Sequence, residues 1–251
     1  LLYFSPSYSD TGLILPISQV AHSQPGGRRG MWRSLAAFVF GRPVDRRMSA
    51  RVRQAIRRQQ VGAEILIGWT QLFLVLLFLA IYLISPRPAE QTPFQPVPWV
   101  LGAFLVFTLV RLALAYRHAI AGWFLGSAVV LDMGLLLLLI WSYHIQYMQP
   151  AAFYLKAPTF HYVFLFIALR TLRFDPAYVL LAGAAAAGGW AVLVLYALGE
   201  PSLTSTVTRD YVLYLTSNRI LIGAEVDKIL CILLVTAVLA FAIVRARRLL
   251  T

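Results

Sequence analysis

Long apolar segments separated by short polar loops constrain the fold of this chain more than any other feature. A helix that crosses a bilayer needs about 20 mostly apolar residues, and six segments approach or exceed this length: 61–85, 99–116, 121–143, 159–172, 177–198 and 218–244. Hydrophobic residues make up 60% of the chain and charged residues 13%, against about 45–50% and about 25% in soluble domains. We therefore predict an all-α polytopic membrane protein with six transmembrane helices.

The fourth of these segments, 159–172, is the shortest. It reaches the length of a span only if His161 and Arg170 lie near the two membrane interfaces. Asp175-Pro176 then marks a helix stop followed by a proline at the start of the next helix, a position that proline favours. We expect the fourth span between these limits, because a count of five spans would place the C-terminal arginines outside.

Positive charges indicate the orientation of the spans, because cytoplasmic loops carry an excess of Lys and Arg. With the N-terminus in the cytoplasm, the external loops hold few basic residues: Arg87, Lys156, Arg209 and Arg219. The cytoplasmic side then holds most of them: the cluster at 46–58, Arg117, Arg170, Arg173, Arg245, Arg247 and Arg248. We therefore expect both termini in the cytoplasm.

The chain divides into four parts by composition. Residues 1–47 are expected to be a poorly ordered extension, with Met31 and Met48 as candidate starts, and 48–60 form a basic cytoplasmic flank. Residues 61–244 are the transmembrane domain, and 245–251 continue the last helix into the cytoplasm. A basic flank binds nucleic acid or anionic lipid in some proteins and sets topology in others. We favour topology and expect no nucleic-acid partner, because a span follows at once.

The composition also excludes several classes of protein. The apolar excess excludes an ordinary soluble enzyme and a disordered chain. The single cysteine, Cys231, excludes an intramolecular disulfide and a cysteine-based zinc site. His118, His144 and His161 lack the spacing of metal ligands, and the chain has no phosphate-binding glycine loop and no nucleophile elbow. We expect no catalytic residue, cofactor or metal site in this chain, and the lipid bilayer as its partner.

Six charged residues fall inside the predicted spans rather than at the residues assigned to their interfaces: Glu64, Arg111, Asp132, Glu225, Asp227 and Lys228. Charges at membrane depth are costly and by default indicate a functional site. One hypothesis is an ion or proton path. The other, which we favour, is a set of interhelical pairs such as Asp132 with Arg111 or with Lys228. Successive helical residues step about 100° around the axis, so we expect Glu225 or Asp227 to face the bundle.

Small residues recur four positions apart in two spans: Gly122 with Gly126, and Ala184 with Gly188. This spacing lets helix backbones approach closely within a membrane. It is typical both of a dimer face and of packing within one bundle, and the sequence leaves both open.

Three stretches together carry a resemblance. The first comprises KAPTF at 156–160 and FIALRTLRFDP at 166–176, the second is TSNRILIGAEVDK at 216–228, and the third is VRARRLL at 244–250. Over about residues 48–251, the chain resembles the six-helix membrane anchor of bacterial class III adenylate cyclases with one catalytic domain. Residues 1–47 lie outside the resemblance.

The resemblance implies a membrane anchor and sensor domain in a bacterial inner membrane, functioning as a homodimer. Arg245, Arg247 and Arg248 would begin a transducer helix, and a cyclase domain after Thr251 would make cyclic AMP and pyrophosphate from ATP. Mg or Mn would bind only in that cyclase domain, and a small molecule or lipid would be the ligand of the sensor. The alternatives are a small transporter or membrane accessory subunit, and the sensor of another signalling enzyme such as a kinase.

Overall fold

The computed structural model describes residues 50–85, 94–117, 122–199 and 207–250. Within these ranges the chain forms seven α-helices: α1 (Ala50–Ile84), α2 (Pro96–Tyr116), α3 (Gly122–Gln146), α4 (Tyr162–Leu169), α5 (Pro176–Leu198), α6 (Tyr211–Thr216) and α7 (Ile222–Leu250). Five of the described helices, α1, α2, α3, α5 and α7, are long and apolar enough to cross a membrane. The chain is an all-α, multi-pass membrane protein, as its composition predicts.

The segment expected to be the fourth span, 159–172, is not one continuous α-helix. It comprises a 3-10 turn at Pro158–His161, the eight residues of α4, and a second 3-10 turn at Arg170–Arg173. The second turn ends at Phe174, whose φ of 53° is left-handed and reverses the chain before the next helix. The segment lies inside the bundle rather than at its edge, because Val163, Phe166 and Ile167 of α4 are fully buried.

Two neighbouring pairs of long helices, α1 with α2 and α5 with α7, run antiparallel. Tyr82 near the end of α1 donates to Gln95 at the start of α2. Gly183 of α5 faces Thr236 of α7, and Trp190 later in α5 bonds Glu225 earlier in α7, so these two helices also run in opposite directions. By contrast α3 and α5 run parallel, because the rings of Trp141 and Tyr196 meet 6.0 Å apart near both C-terminal ends.

The bundle has two chemically different ends. We call one the basic end; it is defined by Arg117, Arg173, Arg245, Arg247 and Arg248. We call the other the aromatic end; it is defined by Tyr82, Tyr143, Tyr147, Tyr154 and Tyr196. The segment 158–173 connects these ends, because its first turn contacts α5 near the aromatic end and its last turn contacts α1 and α3 near the basic end.

Close helix packing depends on glycines other than the predicted ones. A Cβ on Gly183 would lie 2.1 Å from Thr236 Oγ1, and one on Gly189 would lie 2.2 Å from a methyl carbon of Leu137. Ala184 and Gly188 are instead exposed on the surface of α5. The pair on α5 therefore does not pack against another described helix of this chain, and the dimer face remains a prediction.

Of the other predicted glycine pair, Gly126 makes an ordinary contact. A Cβ built on Gly126 of α3 would lie 3.8 Å from Leu181 of α5, which is van der Waals distance. Gly122 is the first residue of α3, and its surroundings lie outside the described contacts. Gly126 therefore faces another helix of the same bundle.

Candidate functional site

A buried ion cluster joins α1, α2 and α3 toward the basic end. Arg111 of α2 donates from Nη2 to Glu64 Oε2 of α1 at 2.8 Å and from Nη1 to Asp132 Oδ2 of α3 at 2.5 Å. Gln71 of α1 accepts from the same Nη1 at 3.0 Å and donates to Asp132. All four side chains are at most 2% exposed. Three helices are thus held together by charge-assisted hydrogen bonds out of contact with solvent.

Two arginines from the 3-10 turn that follows α4 complete the cluster. Arg170 donates from Nη2 to Asp132 Oδ2 at 2.5 Å. Arg173 Nε lies 2.9 Å from Glu64 Oε1 as an ion pair without hydrogen-bond geometry, and its guanidinium lies 4.0 Å from the ring centroid of Tyr178. Each carboxylate therefore lies between two guanidinium groups.

The cluster is closed and carries a net charge. Three arginines (111, 170 and 173) face two carboxylates (64 and 132), a balance of 3 − 2 = +1. Arg170 is fully buried, and its Nε and Nη1 have no hydrogen-bond partner among the described protein atoms. Because each of the five groups forms an ion pair with a group of opposite charge inside the bundle, the arrangement is typical of an interhelical clamp. Of the two pairs considered from the sequence, Asp132 with Arg111 is present.

A second polar cluster lies toward the aromatic end. Trp190 of α5 donates from its indole N–H to Glu225 Oε2 at 3.0 Å. Lys228 donates to Glu225 Oε1 at 2.8 Å and to the backbone carbonyl of Leu155 at 2.6 Å. Glu225 is 1% exposed, whereas Asp227 lies on the exposed face of α7. The start of α7 is therefore attached both to α5 and to the 3-10 turn at Ala151–Lys156.

The same 3-10 turn is attached to the short helix α6. Lys156 donates from Nζ to the backbone carbonyls of Tyr214 and Ser217, at the C-terminal end of α6. Cations stabilise this end of a helix because its carbonyls lack helical partners. Burial lowers the pKa of the Lys156 ammonium below its ordinary value, and the charge of Glu225 opposes the shift. The turn thus lies between α6 and α7 on one side and the remaining helices on the other.

A pocket of about 350 Å³ opens between this turn and the ends of α1, α2 and α3. This volume falls within the usual range for small-molecule sites, which are mostly apolar with a few convergent polar groups. Its walls include six aromatic rings: Phe78, Tyr82, Tyr143, Tyr147, Phe153 and Tyr162. Among the described residues, its polar lining comes from these tyrosines and from Ser85, Lys156 and Thr159, without a carboxylate.

Helix α7 leaves the bundle at the basic end. It has 29 residues and no Pro or Gly after Gly223, which corresponds to a length of about 43 Å. Near its end Arg247 lies 3.8 Å from Asp175, and both side chains are partly exposed. Arg245 and Arg248 are exposed on the same part of the helix. The helix therefore reaches from the polar cluster at the aromatic end to the arginines at the basic end.

Several members of these sites were not among the residues singled out from the sequence. The sequence places Arg170 and Arg173 among the cytoplasmic charges and Arg170 near a membrane interface, but it does not indicate a buried site for either. Gln71 and Trp190 each stand alone as a polar or amphipathic residue within an apolar span. A search of the sequence for such isolated residues would have identified both. The pocket has no such signal, because its walls come from distant parts of the chain.

No group of His, Cys, Asp or Glu in the described ranges has the arrangement needed to hold a metal ion. Comparisons of the chain with family models, with curated proteins and with solved structures find no match.

Proposed function

We propose that this chain is the membrane anchor and sensor domain of a bacterial class III adenylate cyclase, located in the inner membrane. A cytoplasmic cyclase domain after Thr251 would convert ATP to cyclic AMP, and two copies of the chain would form the dimer that this chemistry uses. The resemblance of the three sequence stretches supports the identity of the enzyme. The connection of a pocket to a long exit helix supports the role of sensor.

The proposal includes six crossings with both termini in the cytoplasm. Five are the long helices, and the fourth is the segment 158–173, built of four, eight and four residues in 3-10, α and 3-10 conformation. At 2.0 Å per 3-10 residue and 1.5 Å per α residue, this segment spans about 28 Å, close to the hydrocarbon thickness of about 30 Å. The arginines of the basic end favour that end as the cytoplasmic one.

One observation carries the proposal: α7 is a single unbroken helix with an attachment at each end. Its first turns are bound through Glu225 and Lys228 to Trp190 and Leu155 near the pocket. Its last two turns carry Arg245, Arg247 and Arg248. A rigid helix of this kind transmits a shift or rotation from one face of the membrane to the other. A ligand drives that shift only if it binds the two positions of the helix with unequal affinity.

An insertion in the full-length protein tests the proposal. Two glycines placed between Val244 and Arg245 interrupt the helix where it leaves the bundle, because glycine is a poor helix former. We expect normal membrane insertion but an altered production of cyclic AMP, measured in a bacterium that lacks its own cyclase. Two alanines at the same place are the matched control, because they add the same length and keep the helix. Equal output from the parent and the glycine variant would show that α7 is only an anchor.

The reading frame after Thr251 separates the alternatives. A cyclase domain there agrees with the proposal, a kinase domain gives the sensor a different output, and a stop codon favours a transporter or accessory subunit. In the last case, the buried charges Glu64 and Asp132 become the first residues to test in a transport assay, because intramembrane carboxylates form proton relays in transporters.

A further inference from the structure

The pocket at the aromatic end has the composition of a site for one chemical class of ligand. We infer that it binds an uncharged, planar molecule that carries an oxygen substituent, such as a phenol, an aromatic ketone or a quinone. The inference rests on the proposed sensor function, to which it adds the ligand class and the route by which binding reaches α7.

The charge of the pocket argues for an uncharged ligand. No Asp or Glu is among the described residues that line it, so none of these residues compensates a cation. Lys156 is the one cationic residue among the described lining residues. Its ammonium donates to the carbonyls of Tyr214 and Ser217, which do not line the pocket, and lies 4.6 Å from the Tyr214 ring centroid. An anion would therefore be desolvated in the pocket without a free cation among the described lining residues to pair with.

The walls argue for a planar ligand with an oxygen atom. Rings of Phe78 and Tyr162 meet edge-to-face with centroids 4.6 Å apart, and such walls favour stacking or edge contacts with a further ring. The hydroxyls have only long hydrogen bonds. Ser85 lies 3.5 Å from Tyr147 and Thr159 lies 3.4 Å from Tyr143. Hydroxyl pairs normally bond at about 2.7–2.8 Å, so these groups retain capacity to bind a ligand oxygen.

The position of the pocket explains how binding would reach α7. Phe153, Lys156 and Thr159 line the pocket and belong to the two 3-10 turns between α3 and α4. On the other side of these turns, Leu155 accepts the hydrogen bond from Lys228 of α7. A ligand that displaces this thin wall must change the contact that holds the start of α7.

Binding is tested with the full chain in lipid nanodiscs, against empty nanodiscs, by equilibrium dialysis. The probes share one ring system and differ in one group: 2-naphthol, naphthalene, 2-naphthoate and 2-naphthylmethylammonium. We expect 2-naphthol to bind most tightly, in one copy per chain. The strongest binding by either charged probe would overturn the inference. So would binding no greater than to empty nanodiscs. Displacement of 2-naphthol by dodecane but not by other phenols would identify the pocket as an acyl-chain site, and would also overturn it.

Paired variants locate the site without changing its volume. Tyr143→Phe combined with Thr159→Val removes two hydroxyls and should weaken 2-naphthol about tenfold, the effect of losing two neutral hydrogen bonds. The affinity for naphthalene should stay within about twofold, because it makes no hydrogen bond. The matched control is Tyr211→Phe, which removes a hydroxyl from an exposed tyrosine outside the pocket at the same end. Equal loss of both probes in the double variant would mean a damaged fold and would contradict the assigned roles.

The coupling to α7 has its own readout. Cys231 is the single cysteine of the chain and is exposed on α7, so a bimane label there reports movement of this helix without any cyclase. We expect 2-naphthol to shift the bimane emission in the parent protein. In Lys228→Met, we expect unchanged affinity but no shift. An unchanged emission in the labelled parent at saturating 2-naphthol would overturn the route to α7. A bimane shift without any change in cyclic AMP output from the full-length protein would overturn the proposed function instead.

Discussion

Replacing Asp132 with asparagine removes the charge on which the buried ion cluster depends. The carboxylate is fully buried and accepts from Gln71, Arg111 and Arg170. After Asp132→Asn the cluster holds three guanidinium groups against one carboxylate, so its charge rises from +1 to +2. The asparagine side chain also has an NH₂ group in place of one carboxylate oxygen. Donors that bonded to that oxygen then face another donor and lose their acceptor.

The expected loss of stability is large for a single, nearly isosteric substitution. Removing one partner of a buried ion pair costs about 3–5 kcal/mol, because the other charge stays desolvated. For a chain of this size about 1 kcal/mol corresponds to roughly 2–4 °C in Tm. We therefore expect Asp132→Asn to lower the Tm by about 6–20 °C, measured by heating the detergent-solubilised protein and recording the remaining monodisperse fraction by size-exclusion chromatography.

Two further variants make the test specific. Asp227→Asn is the matched control, because Asp227 is exposed on α7 and its charge should contribute less than about 1 kcal/mol. The double variant Asp132→Asn with Arg170→Gln removes one charge of each sign, and we expect it to recover part of the loss. The reasoning is refuted if Asp132→Asn melts within 2 °C of Asp227→Asn, or if adding Arg170→Gln lowers the Tm further by its full separate effect.

Three other changes have defined outcomes. Gly183→Ala should lower the Tm because its Cβ meets Thr236 at 2.1 Å, whereas Gly188→Ala, with open space around it, should not; equal Tm values would contradict the packing of α5 on α7. Asp175→Ala should lower the free energy of unfolding by about 1 kcal/mol, because it removes the cap of α5. Asp175→Asn should lower it less, because asparagine keeps an acceptor for the N–H of Ala177. Chemical denaturation measures both variants, and equal losses of stability would argue against capping. Because the pKa of Lys156 is lowered in the folded chain, the unfolded chain binds more protons just below the ordinary lysine pKa, and stability should rise with pH there. The difference in Tm between the parent and Lys156→Met, measured as a function of pH, should show this rise. A difference that falls with pH would contradict the lowered pKa.

The membrane class and the long helices could be predicted from the sequence because they depend on local composition. The helix boundaries depend on finer chemistry. We expected the second span to start after Pro98, but α2 begins at Pro96, since proline is accepted in the first turn where its missing N–H has no helical partner. Helix α1 extends back to Ala50 through the basic flank, because arginine is a good helix former and residues 50–61 contain no Pro or Gly.

The sites were less predictable because their members are far apart in the chain. Asp132 with Arg111 was one of two pairs considered, and it is present, but Lys228 pairs with Glu225 three residues earlier on its own helix. The choice between these partners depends on which face of α7 contacts α5. No local pattern gives that face, since the ridges of small and large residues on both helices determine it together.

The 3-10 turn at Arg170–Arg173 has a consequence for the order in which the chain is assembled. With three residues per turn, side chains three positions apart lie above one another, so both arginines leave the turn on one face. An arginine entering a bilayer alone is opposed by about 2.5–3.5 kcal/mol at the centre of a helix. The carboxylates that receive these two belong to Glu64 and Asp132, which ribosomes translate earlier. In the proposed six-span topology, this segment enters the membrane only after its electrostatic partners, and a truncation that removes α1 takes away the carboxylate that pairs with Arg173.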